Sequence, residues 1–156
     1  MTPITCGIRG RGAKNKTPVF ALVERNGDVR DFSVKNVKSQ TLKKIIRENV
    51  DKKSIIMTDE FRNYRGLDKK FAGHETVQHG IREYVRGSAY TNTVEGFFFI
   101  MKCVIREVYQ HVSPQHLHRY TDEFGYRYNT RKQTDMERII GSIEKIEGKR
   151  LMYRDS

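Results

Sequence analysis

We predict an α/β fold with a small mixed sheet and flanking helices for this sequence, from three observations. Two apolar runs flank the pair Asn26-Gly27, and Asn-Gly between such runs is the strongest short-range signal of a β-hairpin. A short apolar run ends abruptly in acid at Asp59, which is typical of a buried strand. From Thr91 onward the apolar residues follow a helical period. The order of hairpin, helix, strand and helices indicates an α/β domain.

The first half of the chain divides into a hairpin, a helix and a strand. We expect strands at about 18–25 and 28–35, joined by the Asn-Gly turn. A helix is expected over residues 39–50, where apolar residues recur at helical spacing and Ser39 is the candidate N-cap. Residues 54–60 form the buried strand that ends in acid.

The second half is more helical. Residues 61–71 indicate a short helix or a loop, and residues 75–85 a further strand or an irregular pair. Two helices are expected over residues 92–109 and 114–130, separated by HVSP, whose serine and proline suit an N-cap and the first helical position. The tail adds one or two amphipathic helical turns.

The charge of the chain points to a polyanionic partner. Thirty Lys and Arg residues against nineteen Asp and Glu give a net charge of +11 and a pI near 9.8. The positive residues recur along the whole chain, which suits a basic face that binds nucleic acid. A solvated basic surface with no such partner is the alternative interpretation. Residues 7–18 are rich in glycine and base, and we interpret them as a phosphate-attracting loop.

The two cysteines, Cys6 and Cys103, form no CxxC pair, so neither a zinc ribbon nor a disulfide framework is indicated. No signal peptide and no apolar run of about 18 residues is visible, and we expect no membrane partner. A reducing, cytoplasmic setting is the resulting expectation for a protein with free thiols.

Glu95 lies in the predicted helix that begins at residue 92, and its surroundings allow two interpretations. At ~100° per residue, the apolar residues form a buried stripe, with Glu95, Lys102 and Arg106 projecting from the opposite side. The stripe comprises Phe97, Met101, Val104 and Val108, with Val94, Ile100 and Ile105 at its edges. This charged side is either a solvated face with a loose ion pair or part of a functional site.

Two further observations favour a functional site. Phe98 and Phe99 fall outside the predicted stripe, and exposed aromatics beside a base suit contacts with nucleic acid. Asp59 ends a buried strand, where α/β sheets bind ligands, and carboxylate oxygens are hard ligands for Mg²⁺ or Mn²⁺. Glu60 points to the other face of an extended chain and is the weaker candidate.

Several ordered motifs together carry a family resemblance. The stretches RGRGAKNKTPVFALVER, TDEFRNYRGL, VQHGIREYVRG, TNTVEGFF, YQHVSPQHLHRYTDEFGYRYNTR and GKRLMYR resemble the ISXO-type insertion-sequence transposase domain, over about residues 9–154. The resemblance implies an RNase H-like fold and a DDE transposase, in which three carboxylates hold two divalent metal ions, Mg²⁺ or Mn²⁺, for attack on a phosphodiester.

The resemblance also implies roles for individual residues. Asp59 corresponds to the second carboxylate and Glu95 to the third. Lys102 corresponds to the base that contacts DNA near the cleavage point, and Asn92 to a polar residue that assists at the metal or the DNA. His79 lies in a family motif, either as an accessory site residue or as a structural loop histidine. The remaining DNA-binding candidates are basic residues, namely Arg9, Arg11, Lys14, Lys16 and Arg106.

The sequence departs from the family pattern at its first carboxylate. A DETYVGG-like strand carries that Asp in the family, and no Asp or Glu occurs here before Glu24. Asp28 and Asp31 lie on or after the hairpin turn and are poor substitutes. In the helix, Cys103-Val104 replaces a usual Arg-Gly pair. We therefore expect a missing first acidic strand, an opened sheet of low stability, and one weakly bound metal ion.

These observations lead to one functional expectation and two alternatives. We expect residues 1–17 to be a basic N-terminal loop, residues 18–132 the transposase domain and residues 133–156 its helical tail. The expected function is metal-dependent DNA cleavage and strand transfer in transposition, in an N-terminally truncated, catalytically impaired copy that assembles as a homodimer or synaptic oligomer. The alternatives are a non-catalytic DNA-binding remnant that regulates transposition, and an unrelated nuclease or basic structural protein.

Overall fold

A computed structural model of the chain describes the backbone of residues 3–9, 17–77, 85–86, 89–90, 92–146 and 148, and the side chains of 17–77, 92–146 and 148. Its strands are β1 (Pro3–Arg9), β2 (Val19–Glu24), β3 (Val29–Ser33), β4 (Ile55–Asp59), β5 (Gly73–Val77), β6 (Val85–Arg86) and β7 (Ala89–Tyr90). Its α-helices are α1 (Ser39–Asn49), α2 (Asn92–Val104), α3 (Leu117–Asn129) and α4 (Asp135–Ile146). Within this described part, no helix is both long and apolar enough to span a membrane.

Five strands form one mixed sheet in the order β3-β2-β1-β4-β5. β2 runs antiparallel to both β1 and β3, whereas β1, β4 and β5 are parallel to one another. The predicted α/β class and mixed sheet are therefore confirmed. The hairpin strands are confirmed to within two residues at their ends, and Asn26 in the turn has a positive φ of 61°, a conformation that asparagine tolerates better than most residues.

Alternating side chains of β2 divide the core into two layers. Phe20 and Leu22 pack with Leu42 and Ile46 of α1 on one face of the sheet. Val19, Ala21 and Val23 face the other way, into a layer built by the second half of the chain. That second layer is completed by Val29, Val94, Phe97, Phe98, Met101 and Phe124, so α2 and α3 cover the face opposite α1.

The strand β1 corrects the prediction for the N-terminal region. We expected residues 7–18 to be a loop and the centre of the sheet to be open. Instead Pro3–Arg9 form the central strand, paired with β2 on one side and β4 on the other. The sequence of β1, PITCGIR, contains no acid. The central position of the sheet is therefore filled, but by a strand without the carboxylate that the family resemblance implies. The sheet is therefore continuous through its centre and gives no reason to expect low stability.

The helices differ from prediction mainly at their ends. Ser39 is the first helical residue and not the cap; its hydroxyl donates to the Asn63 carbonyl over 2.9 Å. The helix expected to reach residue 109 ends as α-helix at Val104 and continues as a π-helical segment, Ile105–Tyr109. The π-turn changes the helical phase, and for that reason Val108 is exposed and not part of the buried stripe.

The C-terminal end of α3 holds the β2–β3 hairpin in place. The Asn129 side chain accepts from the Val29 N–H over 2.7 Å and donates to the Val29 carbonyl over 3.0 Å. Arg131 donates to the Gly27 carbonyl at the hairpin turn over 3.1 Å. β3 is an edge strand, and Asn129 therefore satisfies the outward-facing backbone groups that an edge strand leaves unpaired.

Candidate functional site

Asp59 is the last residue of β4 and lies at the carboxyl edge of the parallel strands. Ile56 packs in the α1 layer, so alternation along β4 places Asp59 on the opposite face, which α2 covers. The Asp59 Oδ1 atom accepts from the Phe61 N–H over 3.2 Å, which orients the side chain at the strand end. Asp59 is half-buried, as a carboxylate at a sheet edge with access to a ligand should be.

A hydrogen-bonded pair behind Asp59, of a buried threonine and a half-buried histidine, fixes the backbone at this edge, and the sequence prediction missed it. The Thr58 hydroxyl donates to the Asp59 carbonyl over 2.8 Å and lies 2.9 Å from Nε2 of His74 on β5. Since the hydroxyl proton is used at Asp59, Nε2 must donate to Thr58. Burial lowers the pKa of His74 below its ordinary value; Asp68 partly offsets this effect and Lys43 adds to it. His74 is therefore a neutral positioning group, and only the folded sheet reveals it.

Glu95 lies in the first turn of α2, on the helix that covers the Asp59 face. Phe98, which was predicted to leave the buried stripe, is 2% exposed and belongs to it, whereas Phe99 is 65% exposed as predicted. The stripe is therefore rotated toward Glu95, which stands at its margin and is half-buried instead of projecting from the opposite side. Ile100, predicted at the edge of the stripe, is also exposed.

The central strand supplies no third carboxylate. The parallel register pairs Thr5 with Met57, and two further residues along both strands bring Gly7 to the level of Asp59. Among residues with described side chains, no group of three His, Cys, Asp or Glu could hold a metal ion. Asp31 is no substitute, because it lies on β3, two strands from β1, beneath α3. The described residues thus supply no carboxylate that would bridge two metal ions.

The predicted DNA-binding residues are only partly described. Asn92 begins α2 and is exposed, as is Lys102 near its end. Arg106 is exposed in the π-helical segment and forms a 2.6 Å ion pair with Glu107. Arg9 ends β1, where only the backbone is described. Arg11, Lys14, Lys16 and His79 lie outside the described residues.

The fold assembles a cationic cleft that sequence reasoning missed. Arg47, Lys52, Lys69, Lys70 and Phe71 line one cleft, with no acid among them. Lys52 precedes β4, and the other two lysines precede β5, so the cleft lies at the amino edge of these strands, opposite the edge of Asp59. The Lys52-Lys53 and Lys69-Lys70 pairs are visible in the sequence, but only parallel pairing of β4 and β5 brings them together.

Comparison with known proteins gives two consistent matches. The family model described as the ISXO2-like transposase domain matches residues 3–129. An uncharacterized transposase-like protein of Haemophilus influenzae is 30% identical over 112 residues, which make up 72% of this chain and 89% of that relative. The family match covers the five-stranded sheet together with α2 and α3, and therefore both carboxylate candidates.

Proposed function

This chain belongs to the ISXO2-like transposase domain family, and we propose that it binds DNA in transposition with an incomplete cation site, so that its cleavage chemistry is impaired. The observation that carries the proposal is the register of β1, which brings Gly7 and no carboxylate to the level of Asp59. We also propose that the five-stranded sheet is the RNase H-like sheet that the resemblance implies. The strand order and the two covering helical layers support this assignment.

Asp59 and Glu95 are the residues that would hold the cation in this proposal. Both are half-buried. The proposal is supported by the alternation of β4, which points Asp59 to the sheet face that α2 covers, and by the position of Glu95 in the first turn of α2. A bound Mg²⁺ or Mn²⁺ would supply Lewis-acid stabilisation of charge on a phosphodiester oxygen. The Phe61 N–H orients the Asp59 carboxylate, and the Thr58 hydroxyl fixes the strand end behind it. Lys102 on α2 supplies positive charge for the DNA backbone.

We predict that Gly7→Asp strengthens metal binding. The added carboxylate would stand at the level of Asp59, and affinity for a hard cation rises with the number of charged ligands. The wild-type chain should bind Mn²⁺ with a Kd on the order of 1 mM, and Gly7→Asp should bind about tenfold more tightly. Electron paramagnetic resonance of free Mn²⁺ measures both constants without requiring catalysis.

Two variants control this experiment. Gly7→Asn has nearly the same size without the charge and should leave the affinity unchanged. Asp59→Asn should abolish binding, whereas Asp51→Asn, at an exposed position before β4, should not. Equal affinity in Gly7→Asp and Gly7→Asn would refute the placement of the site. Mg²⁺-dependent nicking of plasmid DNA by the wild-type chain, lost in Asp59→Asn, would refute the impairment.

We predict that the cationic cleft contributes to DNA affinity. Replacing Arg47, Lys52, Lys69 and Lys70 together by glutamine should weaken binding to a DNA duplex about tenfold at 0.1 M salt. The negative slope of log Kobs against log salt concentration should become shallower by about 2–4. Each phosphate contact contributes close to −0.9 to this slope, and the variant loses up to four contacts. Fluorescence anisotropy over a salt series measures both quantities.

The matched control removes four positive charges elsewhere. Lys35, Lys38, Arg119 and Lys132 are exposed and lie outside the cleft. Their quadruple glutamine variant has the same net charge as the cleft variant. Equal losses of affinity and slope in the two variants would show that only net charge matters and that the cleft is not a binding site.

A further inference from the structure

Helix α4 contacts the rest of the domain through its polar side. The Tyr126 hydroxyl on α3 donates to the Arg138 carbonyl over 2.8 Å, and Ser142 donates to the Tyr126 oxygen over 3.0 Å. The Lys145 ammonium lies 4.4 Å from the centre of the Tyr126 ring. Amphipathic helices ordinarily bury their apolar side, so this orientation is the reverse of the usual one.

The apolar side of α4 is exposed as a continuous stripe. Its members are each exposed by half or more: Met136 66%, Ile139 55%, Ile140 50%, Ile143 63% and Ile146 63%. Four of them, at positions 136, 139, 143 and 146, follow the alternating spacing of three and four residues that forms a coiled-coil seam. The spacing therefore indicates that the partner of this stripe is another helix.

The helix is already formed and capped without that partner. The Thr134 hydroxyl lies 3.3 Å from the Glu137 N–H, and Glu137 accepts from the Thr134 N–H over 2.7 Å. This reciprocal arrangement is a capping box. A preformed helix loses little conformational entropy when it associates.

Charges around the stripe restrict the partner further. Within α4, three acids stand against two bases, whereas the whole chain has a net charge of +11. By helical projection, Glu137 and Glu144 flank one side of the stripe. The other side borders a groove between α3 and α4 that includes Arg127 and Arg138, each of which is ion-paired with an acid that also lines the groove. One copy of the chain thus presents acids alone on one flank and equal numbers of acids and bases on the other.

We propose that the α4 stripe pairs with the α4 stripe of a second copy of this chain, with the two helices parallel about a two-fold axis. In a parallel pair, the acidic flank of each helix faces the mixed-charge flank of its partner, so Glu137 and Glu144 approach a groove that contains Arg127 and avoid each other. An antiparallel pair would place acidic flank against acidic flank. Because α4 carries one more acid than base, pairing through α4 adds little to the electrostatic repulsion between two basic copies of the chain.

The exposed area sets the expected strength. Five such side chains leave on the order of 500 Å² of apolar surface on each copy, the size of a functional patch. Burying both patches removes roughly 1,000 Å² from water, at the lower limit for a specific interface. The dimer should therefore be reversible, with a Kd on the order of 10 μM.

Sedimentation equilibrium of the full chain from about 1 to 200 μM tests the association. We expect a monomer–dimer equilibrium that is weakened at least about tenfold in the double variant Ile139→Glu, Ile143→Glu. Both side chains are exposed, so the substitutions leave no cavity and the variant should fold. Val108→Glu replaces an equally exposed apolar residue, 66% exposed on the π-helical segment, and should dimerise as the wild type does.

Cysteine cross-linking tests the orientation. In a Cys6→Ser, Cys103→Ser background, Met136→Cys should form a symmetric disulfide between copies, because a parallel pair places position 136 beside its own equivalent. Cross-linking only between Met136→Cys and Ile146→Cys chains would show an antiparallel pair and overturn the proposed arrangement. A chain monomeric at every concentration would overturn the proposal. In that case protection of Ile143→Cys from maleimide would show that the chain itself covers the stripe.

Discussion

Gly125→Ala should destabilise the domain by about 2–3 kcal/mol, although alanine ordinarily stabilises a helix. A Cβ at position 125 would lie 2.6 Å from Oδ1 of Asp31, which real contacts essentially never reach. Neither partner can move easily, because Gly125 is buried on α3 and Asp31 is on a paired strand of the sheet. Urea denaturation followed by circular dichroism measures the loss in unfolding free energy.

Gly96→Ala provides the matched control for this prediction. Gly96 is also inside a helix, α2, but an added Cβ there meets nothing within 4 Å. The alanine should stabilise the domain by about 0.5–1 kcal/mol through helix propensity alone. If both substitutions changed the unfolding free energy in the same direction, the close approach of α3 to Asp31 would be refuted.

Asp31→Asn should stabilise the domain by about 2 kcal/mol at pH 7.5. Burial raises the pKa of Asp31 to about 6; a hydrogen bond with Thr121 partly offsets the effect and the Asp122 carboxylate adds to it. One of its carboxylate oxygens, Oδ2, is buried and has no hydrogen-bond partner among the residues that the structure describes. The charged form is therefore disfavoured in the native state, and asparagine removes the charge without changing the volume.

The pH dependence of the unfolding free energy checks the cause. Between pH 3.8, the ordinary value, and about 6, native Asp31 holds a proton that the unfolded chain has lost. The Asp31 contribution to stability is therefore greatest below this window, declines as pH rises through it, and is constant above it. The difference between Asp31→Asn and wild type should grow from near zero at pH 4 to its full size above pH 6. A difference that stays the same size from pH 4 to pH 7.5 would contradict burial of the Asp31 charge as its cause.

Local patterns predicted the elements of this fold because each pattern has a local cause. The Asn-Gly turn, the helical spacing in α1 and the apolar run ending at Asp59 all act within a few residues. The strand β1 was missed because its length and partners are set by β2 and β4, which lie elsewhere in the sequence. A weakly patterned segment becomes a strand when the space between two existing strands selects it.

The candidate site was predictable only as residue types. Asp59 and Glu95 came from a strand end and a family motif, but the sheet face of Asp59 depends on the alternation of β4, and the half-burial of Glu95 depends on the packing of α2. The rotation of the α2 stripe toward Glu95 follows from burial of Phe98, which a helical projection could not decide. The cationic cleft and the reversed orientation of α4 are likewise tertiary properties.

The contact between Asn129 and Val29 also has a consequence for synthesis of the chain. The two residues are 100 positions apart, so the hairpin leaves the ribosome long before the asparagine that covers its outer edge. At about 5–20 residues per second, the interval is roughly 5–20 s. During that time the edge of β3 is open to any neighbouring nascent chain. Slow translation would lengthen this exposure, and aggregation during expression should therefore depend on elongation rate more than on the stability of the finished domain.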